Sequence, residues 1–248
     1  MTSVIQVGDR KIVADEIISL LKQYGILPQL VREMIIDHAL ADFPLTQEET
    51  MQAYKQFYQE QKLNAEVELQ TWLEARGLER KHLDYLVTRN IKLERFKKAT
   101  WGDNLDSYFL KRKPHLDKVI YSLIRVSDIG IAQELYFRIQ EGEQSFSDLA
   151  REYSQGPEAQ TGGTLGPVEL GIPHPVLANM LASSQSGQLL PPARLGEWFV
   201  IVRVEKFLPA LLDEAMQQRL INELFENWLQ TQVKESFQKD LLVSSVRE

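Results

Sequence analysis

The chain is predicted to fold as an α+β protein, an all-helical body interrupted by an inserted segment of strands and short helices. Three observations carry this. Across residues 1–116 apolar side chains recur at helical spacing, with caps and breakers between the runs. From 117 to 207 the pattern changes to β-branched runs separated by glycine and proline turn signals. Beyond 208 an amphipathic segment returns, in which Met216, Leu220, Ile221, Leu224, Phe225, Trp228 and Leu229 step by three and four. A helix with so wide an apolar face needs a cover, and the nearest unsatisfied helical surface is in the N-terminal half. The expected domains are therefore 1–116, 117–207 and 208–248. The last is expected to pack on the first through a helix over 210–238 and to end in a frayed tail over 239–248.

Within the first domain, Val4 to Val13 holds two short β-prone runs around a Gly8-Asp9 turn. A helix follows, with Asp15 as its N-cap and Ile17, Ile18, Leu20 and Leu21 on its apolar side, punctuated by Gly25 and Pro28. The next helix covers about 29–41 and stops at Phe43-Pro44, because a residue before proline is pushed out of the α region. Thr46-Gln-Glu-Glu49 reads as a capping box, opening a helix that carries Met51, Tyr54, Phe57 and Tyr58. Leu69, Trp72 and Leu73 mark another helix, ended by Gly77. A long helix over about 79–100 places Leu83, Leu86, Val87, Ile91 and Leu93 mostly on one face, and a short one covers about 104–111. Asp213 suits the N-cap of the returning helix.

In the insert, Val119 to Val126 is a strand, and Ile131, Leu135 and Ile139 form a helical stripe ended by Gly142. Phe146, Leu149 and Ala150 open a second short helix. Gly162-Gly163 and Gly166-Pro167 bracket a short strand, and 175–181 is a third helix with proline in its tolerated first turn. Residues 187–192 and 197–207 supply two more strands.

Composition bounds the function. The 248 residues are 44% hydrophobic and 25% charged, normal for a chain with a real core. No apolar run approaches the roughly 20 residues that span a bilayer. Met1 to Asp9 has no basic stretch followed by an apolar one, so a cytoplasmic protein is expected if Met1 is the natural start, and an exported one if the chain has been trimmed. There is no cysteine, which excludes disulfides, thiolate metal sites and a cysteine nucleophile. His38, His82, His115 and His174 are scattered, so no metal and no cofactor is expected. The net charge of −7, with acids in excess over the back half, argues against nucleic acid as a partner.

The order Asp117-Lys-Val-Ile-Tyr-Ser-Leu-Ile-Arg-Val126, Phe146 to Ser154, Gly162-Gly-Thr-Leu-Gly-Pro167 and Trp198-Phe-Val-Ile-Val-Arg-Val204 resembles the parvulin (PpiC, rotamase) family of peptidyl-prolyl cis-trans isomerases. The opening hairpin and helix, the helical run and the returning C-terminal helix resemble the chaperone portion of the SurA and PrsA foldases. The resemblance implies a four-stranded antiparallel sheet with surrounding helices for 117–207. It also implies a site with two histidines on neighbouring central strands, a cysteine or aspartate nearby, and a methionine and a phenylalanine cupping the proline ring. Such a site needs no nucleophile. The barrier to peptide rotation is ~18–20 kcal/mol, and what lowers it is an apolar cup with a polar, water-poor surround that favours the twisted amide.

Matching Tyr121-Ser-Leu-Ile-Arg-Val126 to Ala-Ser-His-Ile-Leu-Val puts Leu123 at the first histidine position. Tyr153 to Pro157 puts Gly156 at the cysteine or aspartate. Ile172 to Leu177, matched to Gln-Met-Val-Pro-x-Phe, gives Pro173 and Leu177 for the cup. Val200 falls at the second histidine, in a register that the extension Glu197-Trp198 leaves open. No residue is therefore assigned a catalytic role, and the expected substrate-binding residues are Leu123, Pro173, Leu177, Trp198 and Val200. Three of these have a plainer alternative: Leu123 and Val200 as core, and Trp198 as strand-end packing; His174, between two prolines at the pocket rim, reads as a stand-in polar group or as an exposed loop residue. The basic cluster Arg89, Lys92, Arg95, Lys97, Lys98 and Lys111-Arg-Lys113 reads as a solvated helix face, or as a docking surface for an acidic partner.

The expected function is that of a foldase or chaperone-like protein that binds proline-containing or unfolded polypeptide, with isomerase activity weak or lost. One alternative is an active isomerase with a rearranged site. The other is a docking subunit of a peptide-export or maturation assembly. Whether the chain is an enzyme is left open by the sequence.

Overall fold

The computed structural model describes residues 3–244. They divide into two compact units, one made of the chain up to Leu105 and from Gln217 onward, the other of Asp106–Met216. In the first unit, β1 (Ser3–Val7) and β2 (Arg10–Val13) pair antiparallel around Gly8. Helix α1 (Ala14–Gln23) is capped by Val13 instead of Asp15; Asp15 and Glu16 lie in its first turn, where negative charge favours the helix N-terminus. Pro28 opens α2 (Leu27–Leu40) instead of punctuating the chain, because a missing N–H costs nothing in a first turn. The capping box of α3 (Gln47–Glu60) forms as expected: Thr46 Oγ1 accepts from the Glu49 N–H at 3.2 Å, and Glu49 Oε2 accepts from the Thr46 N–H at 2.8 Å. Helix α4 (Glu66–Glu74) follows, and a 3-10 turn over Arg80–His82 leads into α5 (Leu83–Trp101).

The second unit runs α6 (Leu105–Leu116), β3 (Lys118–Val126), α7 (Ile129–Gln140), α8 (Phe146–Tyr153), a 3-10 turn over Pro157–Thr161, β4 (Thr164–Glu169), α9 (Pro175–Ala182), β5 (Leu189–Leu195) and β6 (Trp198–Leu208). The four strands form an antiparallel sheet in the order β4-β3-β6-β5. β4 continues through Gly166-Pro167, a cis bond, and does not end there. On α7 Leu135 and Ile139 face the core as expected, while Ile131 is exposed and Ala132 takes its place. Strand alternation gives the sheet two faces. One buries Ile124, Val126 and Ile201 against α7 and α8. The other buries Tyr121, Leu123, Val200 and Val202 against Leu177 and Leu181 of α9. Where the chain enters and leaves this sheet, Asp117 Oδ1 accepts from the Ala210 N–H at 2.7 Å and from Lys113 Nζ at 2.5 Å.

Helix α10 (Glu214–Ser244) starts at Asp213, whose Oδ1 accepts from the Met216 N–H at 2.8 Å. It extends through 239–244, where a frayed tail was expected; 245–248 lie outside the described residues. Phe225 and Leu229 of α10 bury against Ile36 and Leu40 of α2 and Phe96 of α5. Phe96 lies off the stripe read from the sequence, yet it centres an aromatic cluster, with Phe43, Trp101 and Trp228 rings at 5.5, 5.5 and 5.3 Å. Lys97 is no solvated cation: it is buried, its Nζ bonds Glu94 at 2.8 Å and Asn222 at 2.9 Å, and it lies 4.9 Å from the Phe225 ring. Arg89 pairs with Glu33 and Asp37, and Arg95 with Glu49, so much of the basic cluster is committed within the unit.

Truncating Phe225 to alanine should cost about 3–5 kcal/mol, the range for large aromatic-to-alanine cavities. Calorimetry should show the transition of the helical unit lowered while that of the 106–216 unit stays in place. A uniform shift of both would contradict the division of cores.

Candidate functional site

Period-two alternation along β3 turns Tyr121, Leu123 and Arg125 to the same face of the sheet, and the antiparallel register sets Leu123 beside Val202 and Arg125 beside Val200. Over this face lie Leu177 of α9 and the segment leading into that helix. The helix begins with Pro175, and His174 caps it, its Nδ1 accepting from the Val176 N–H at 3.3 Å. Between them is a groove of about 220 Å³. Its walls are Leu123, Leu165, Leu177, Leu195, Trp198 and Val200, with Pro173 and His174 at one side and Tyr121 and Arg125 at the other.

All five residues expected to bind substrate converge here: Leu123, Pro173, Leu177, Trp198 and Val200 all line the groove. Leu123 and Val200, only 3% and 2% exposed, are also core, so the two readings offered for them are not exclusive. Trp198 pairs with Leu195 at the end of the β5–β6 hairpin and is half-buried, which makes it a wall of the groove. His174 is exposed, in line with the plainer alternative. Gly156 does not line the groove.

The neighbourhood of Gly156 holds a group that no sequence motif singles out. Glu158 is fully buried, with its side chain 0% exposed, and its carboxylate takes two bonds from one guanidinium: Arg125 Nε at 2.8 Å and Nη2 at 2.7 Å. Ser154 Oγ donates a third at 2.6 Å. Burial pushes the Glu158 carboxyl up, but the hydrogen bonds from Arg125, Ser154 and its own backbone outweigh that and hold it below the usual carboxylate range. A Cβ on Gly156 would collide with both partners of this pair, which is why glycine occupies the position. The loop carrying Glu158 is tied to β3 by main-chain bonds, Gln155 N–H to Arg125 O at 2.9 Å and Leu123 N–H to Gly163 O at 2.9 Å. Gly163, at φ +87°, comes so close that a Cβ would press on the Phe146 ring and on the Leu123 carbonyl. The one sequence signal for this arrangement is an arginine between Ile124 and Val126 in the apolar stretch of β3.

Tyr121 is 6% exposed, and its phenol is raised above its ordinary value by burial first and then by the Glu158 charge, with Arg125 opposing. Elsewhere, the crevice of about 440 Å³ lined by Asp37, Asp84, Tyr85, Arg89 and Lys92 is ionic, with Arg89 paired to Asp37. There the Tyr85 hydroxyl donates to Asp37 Oδ1 at 2.8 Å. Burial, then this bond, pushes its phenol up to about 12. Among the described residues no group of three His, Asp or Glu side chains could hold a metal ion, and no helix is long and apolar enough to cross a membrane.

Three variants test the buried pair. Removing Arg125 alone (Arg125→Ala) should destabilise the unit by about 3–5 kcal/mol, because it strands a buried carboxylate; Gly156→Asp should also destabilise it, by steric conflict and like charge. Because the folded pKa of Glu158 lies below its ordinary 4.5, its contribution is full above that pH and is lost as pH falls through the lower folded value. Glu158→Gln should therefore flatten the acid limb of the stability curve, measured by urea titration from pH 6 to about pH 3. An unchanged acid limb would assign acid sensitivity to other groups.

Residues 127–206 match the family model of the PPIC-type PPIASE domain, Rotamase; the match begins one residue after β3. The chain is 31% identical over 110 residues to the Chaperone SurA of Shewanella sp. (strain MR-4), a match covering 40% of this chain and 25% of that protein. It is 27% identical over 193 residues to the Chaperone SurA of Cupriavidus metallidurans, covering 67% of this chain and 39% of that one. Aligned segments thus span less than half the length of these relatives. The crystal structure of peptidylprolyl isomerase PrsA from Bacillus cereus superposes with a TM-score of 0.52 at 21% identity, covering 96% of this chain and 92% of that one. Residues 127–206 are thus similar to the rotamase domain, and the fold, helical unit included, is similar to that of the PrsA structure.

Proposed function

We propose that this rotamase-type domain binds polypeptide through the groove over β3 and β6, seating a prolyl or other apolar side chain against Leu123, Leu177, Trp198 and Val200, and that it accelerates prolyl isomerisation weakly. The observation that carries the reading is the convergence of the expected binding residues on one apolar groove, while the positions the parvulin resemblance gives to its histidines hold Leu123 and Val200. An apolar groove retains the free energy of burying a proline ring. Without polar groups aimed at the reacting amide it loses the electrostatic part of catalysis, which is worth orders of magnitude in rate.

Proline-containing or unfolded segments are accordingly the partners proposed. In the helical unit, exposed Ile18, Tyr24, Ile26, Leu30 and Met34 on and between α1 and α2 supply apolar surface for the same clients.

Exchange NMR on Ala-Xaa-Pro-Phe peptides tests both halves of the proposal. Peptide resonances should shift on titration, with cis-trans exchange close to background, and Trp198→Ala should weaken binding about tenfold or more. Exchange well above background, abolished by Leu177→Asp in a protein that remains folded, would establish an isomerase with a rearranged site. Absence of any shift would remove the groove as a peptide site.

A further inference from the structure

The groove is mostly apolar, and the polar side chains that line it, Tyr121 and Arg125 of β3, can donate. Tyr121 is among the buried residues, yet among the described residues no group hydrogen-bonds its hydroxyl, and that hydroxyl is not sealed from the surface. A hydroxyl that opens on the groove with no partner among the described residues is free to meet an acceptor there. Arg125 is the second donor. Its Nε and Nη2 are held by Glu158, leaving Nη1 without a hydrogen bond among the described residues. A carboxylate with no solvent exposure fixes the guanidinium plane in advance, which lowers the entropy lost on binding.

The two residues stand four apart on one face of β3 with Leu123 between them, and the Arg125 charge acts on the Tyr121 phenol. Acceptors in this part of the groove are already used: the Glu158 carboxylate by Arg125 and Ser154, and His174 Nδ1 by the amide of Val176. An Xaa-Pro amide is the complementary ligand, because it has a carbonyl oxygen and no N–H.

We infer that Tyr121 and Arg125 form a two-donor station that binds the carbonyl oxygen of the residue preceding the proline seated in the groove. This rests on the peptide-binding reading above. A tyrosine phenol is protonated at neutral pH, so Tyr121 donates there. The station explains how a groove whose histidine positions are apolar still orients a peptide. It also gives direction to the bound chain, with the proline ring toward Leu177 and Trp198 and the preceding carbonyl toward β3.

The test is a cycle of two peptides and two proteins followed by NMR titration. Ala-Leu-Pro-Phe and its analogue with sulfur in place of the Leu-Pro carbonyl oxygen, a poorer acceptor, are titrated into wild type and Tyr121→Phe. Sulfur substitution and Tyr121→Phe should each weaken binding about three- to tenfold, and the sulfur effect should largely vanish in Tyr121→Phe. Unchanged binding by Tyr121→Phe, or two fully additive losses, would overturn the station while leaving the groove a peptide site. The double variant Arg125→Met with Glu158→Gln removes both charges together, so neither is stranded; it should lose a comparable factor, and wild-type affinity there would overturn the role of Arg125. If wild type binds neither peptide, the peptide-site reading falls and the station with it.

Discussion

A carboxylate with no solvent exposure must be paired, and the pairing of Glu158 organises one end of the rotamase-type domain. Two bonds from Arg125 and one from Ser154 keep the acid ionised against the cost of burial. The constraint then propagates. Arg125 has to stand on the groove face of β3, Gly156 has to lack a side chain, and the loop from Ser154 to Gly163 has to lie along the strand, where main-chain bonds to Arg125 and Leu123 hold it. The position the parvulin resemblance gives to a cysteine or aspartate is thus taken up by the requirements of a salt bridge. A side chain at 156 and the pair at 125 and 158 exclude one another.

Much of the fold is legible in the sequence because local and global signals agree. The capping box at Thr46, the Asp213 cap and the stepping apolar residues of the last helix each specify an element that forms. Where the structure departs from the pattern, competing physics explains it. Asp15 loses the cap to Val13 because the helix starts directly from β2, and Pro28 opens α2 because a first turn tolerates a missing N–H. The burial of Phe96 and Lys97 depends on α10, more than a hundred residues away, and no window on α5 contains that information. The last helix runs on past 238 for a different reason: loss of apolar periodicity does not stop a long helix that is already nucleated.

At the site, the apolar half can be read from the sequence and the polar half cannot. Leu123, Pro173, Leu177, Trp198 and Val200 are reachable by aligning short strand and helix motifs, and all five line one groove. Glu158 lies in a stretch that reads as a polar turn, since an acid beside proline and glycine is ordinarily solvated. Only the register of the loop on β3 brings it within reach of Arg125, and that is a tertiary fact. Tyr121 reads as one more β-prone residue; its hydroxyl matters because it lines the groove without a partner among the described residues.

The same pair bears on how much isomerase chemistry the groove can support. Catalysis of a rotation requires polar groups that stabilise the twisted amide more than the planar one. A donor that meets the carbonyl equally well in both states contributes to binding and leaves the barrier where it was. Arg125 is fixed in orientation by Glu158, and Tyr121 is fixed by the core beneath it. Donors so placed hold the carbonyl still, while the proline ring lies in an apolar wall with no polar group of its own. In a planar Xaa-Pro unit the carbonyl stays in the amide plane in both cis and trans, so a rigid station selects an orientation without favouring the perpendicular state. Rigidity that serves recognition therefore works against turnover, and weak isomerisation with retained peptide binding is the behaviour this geometry favours.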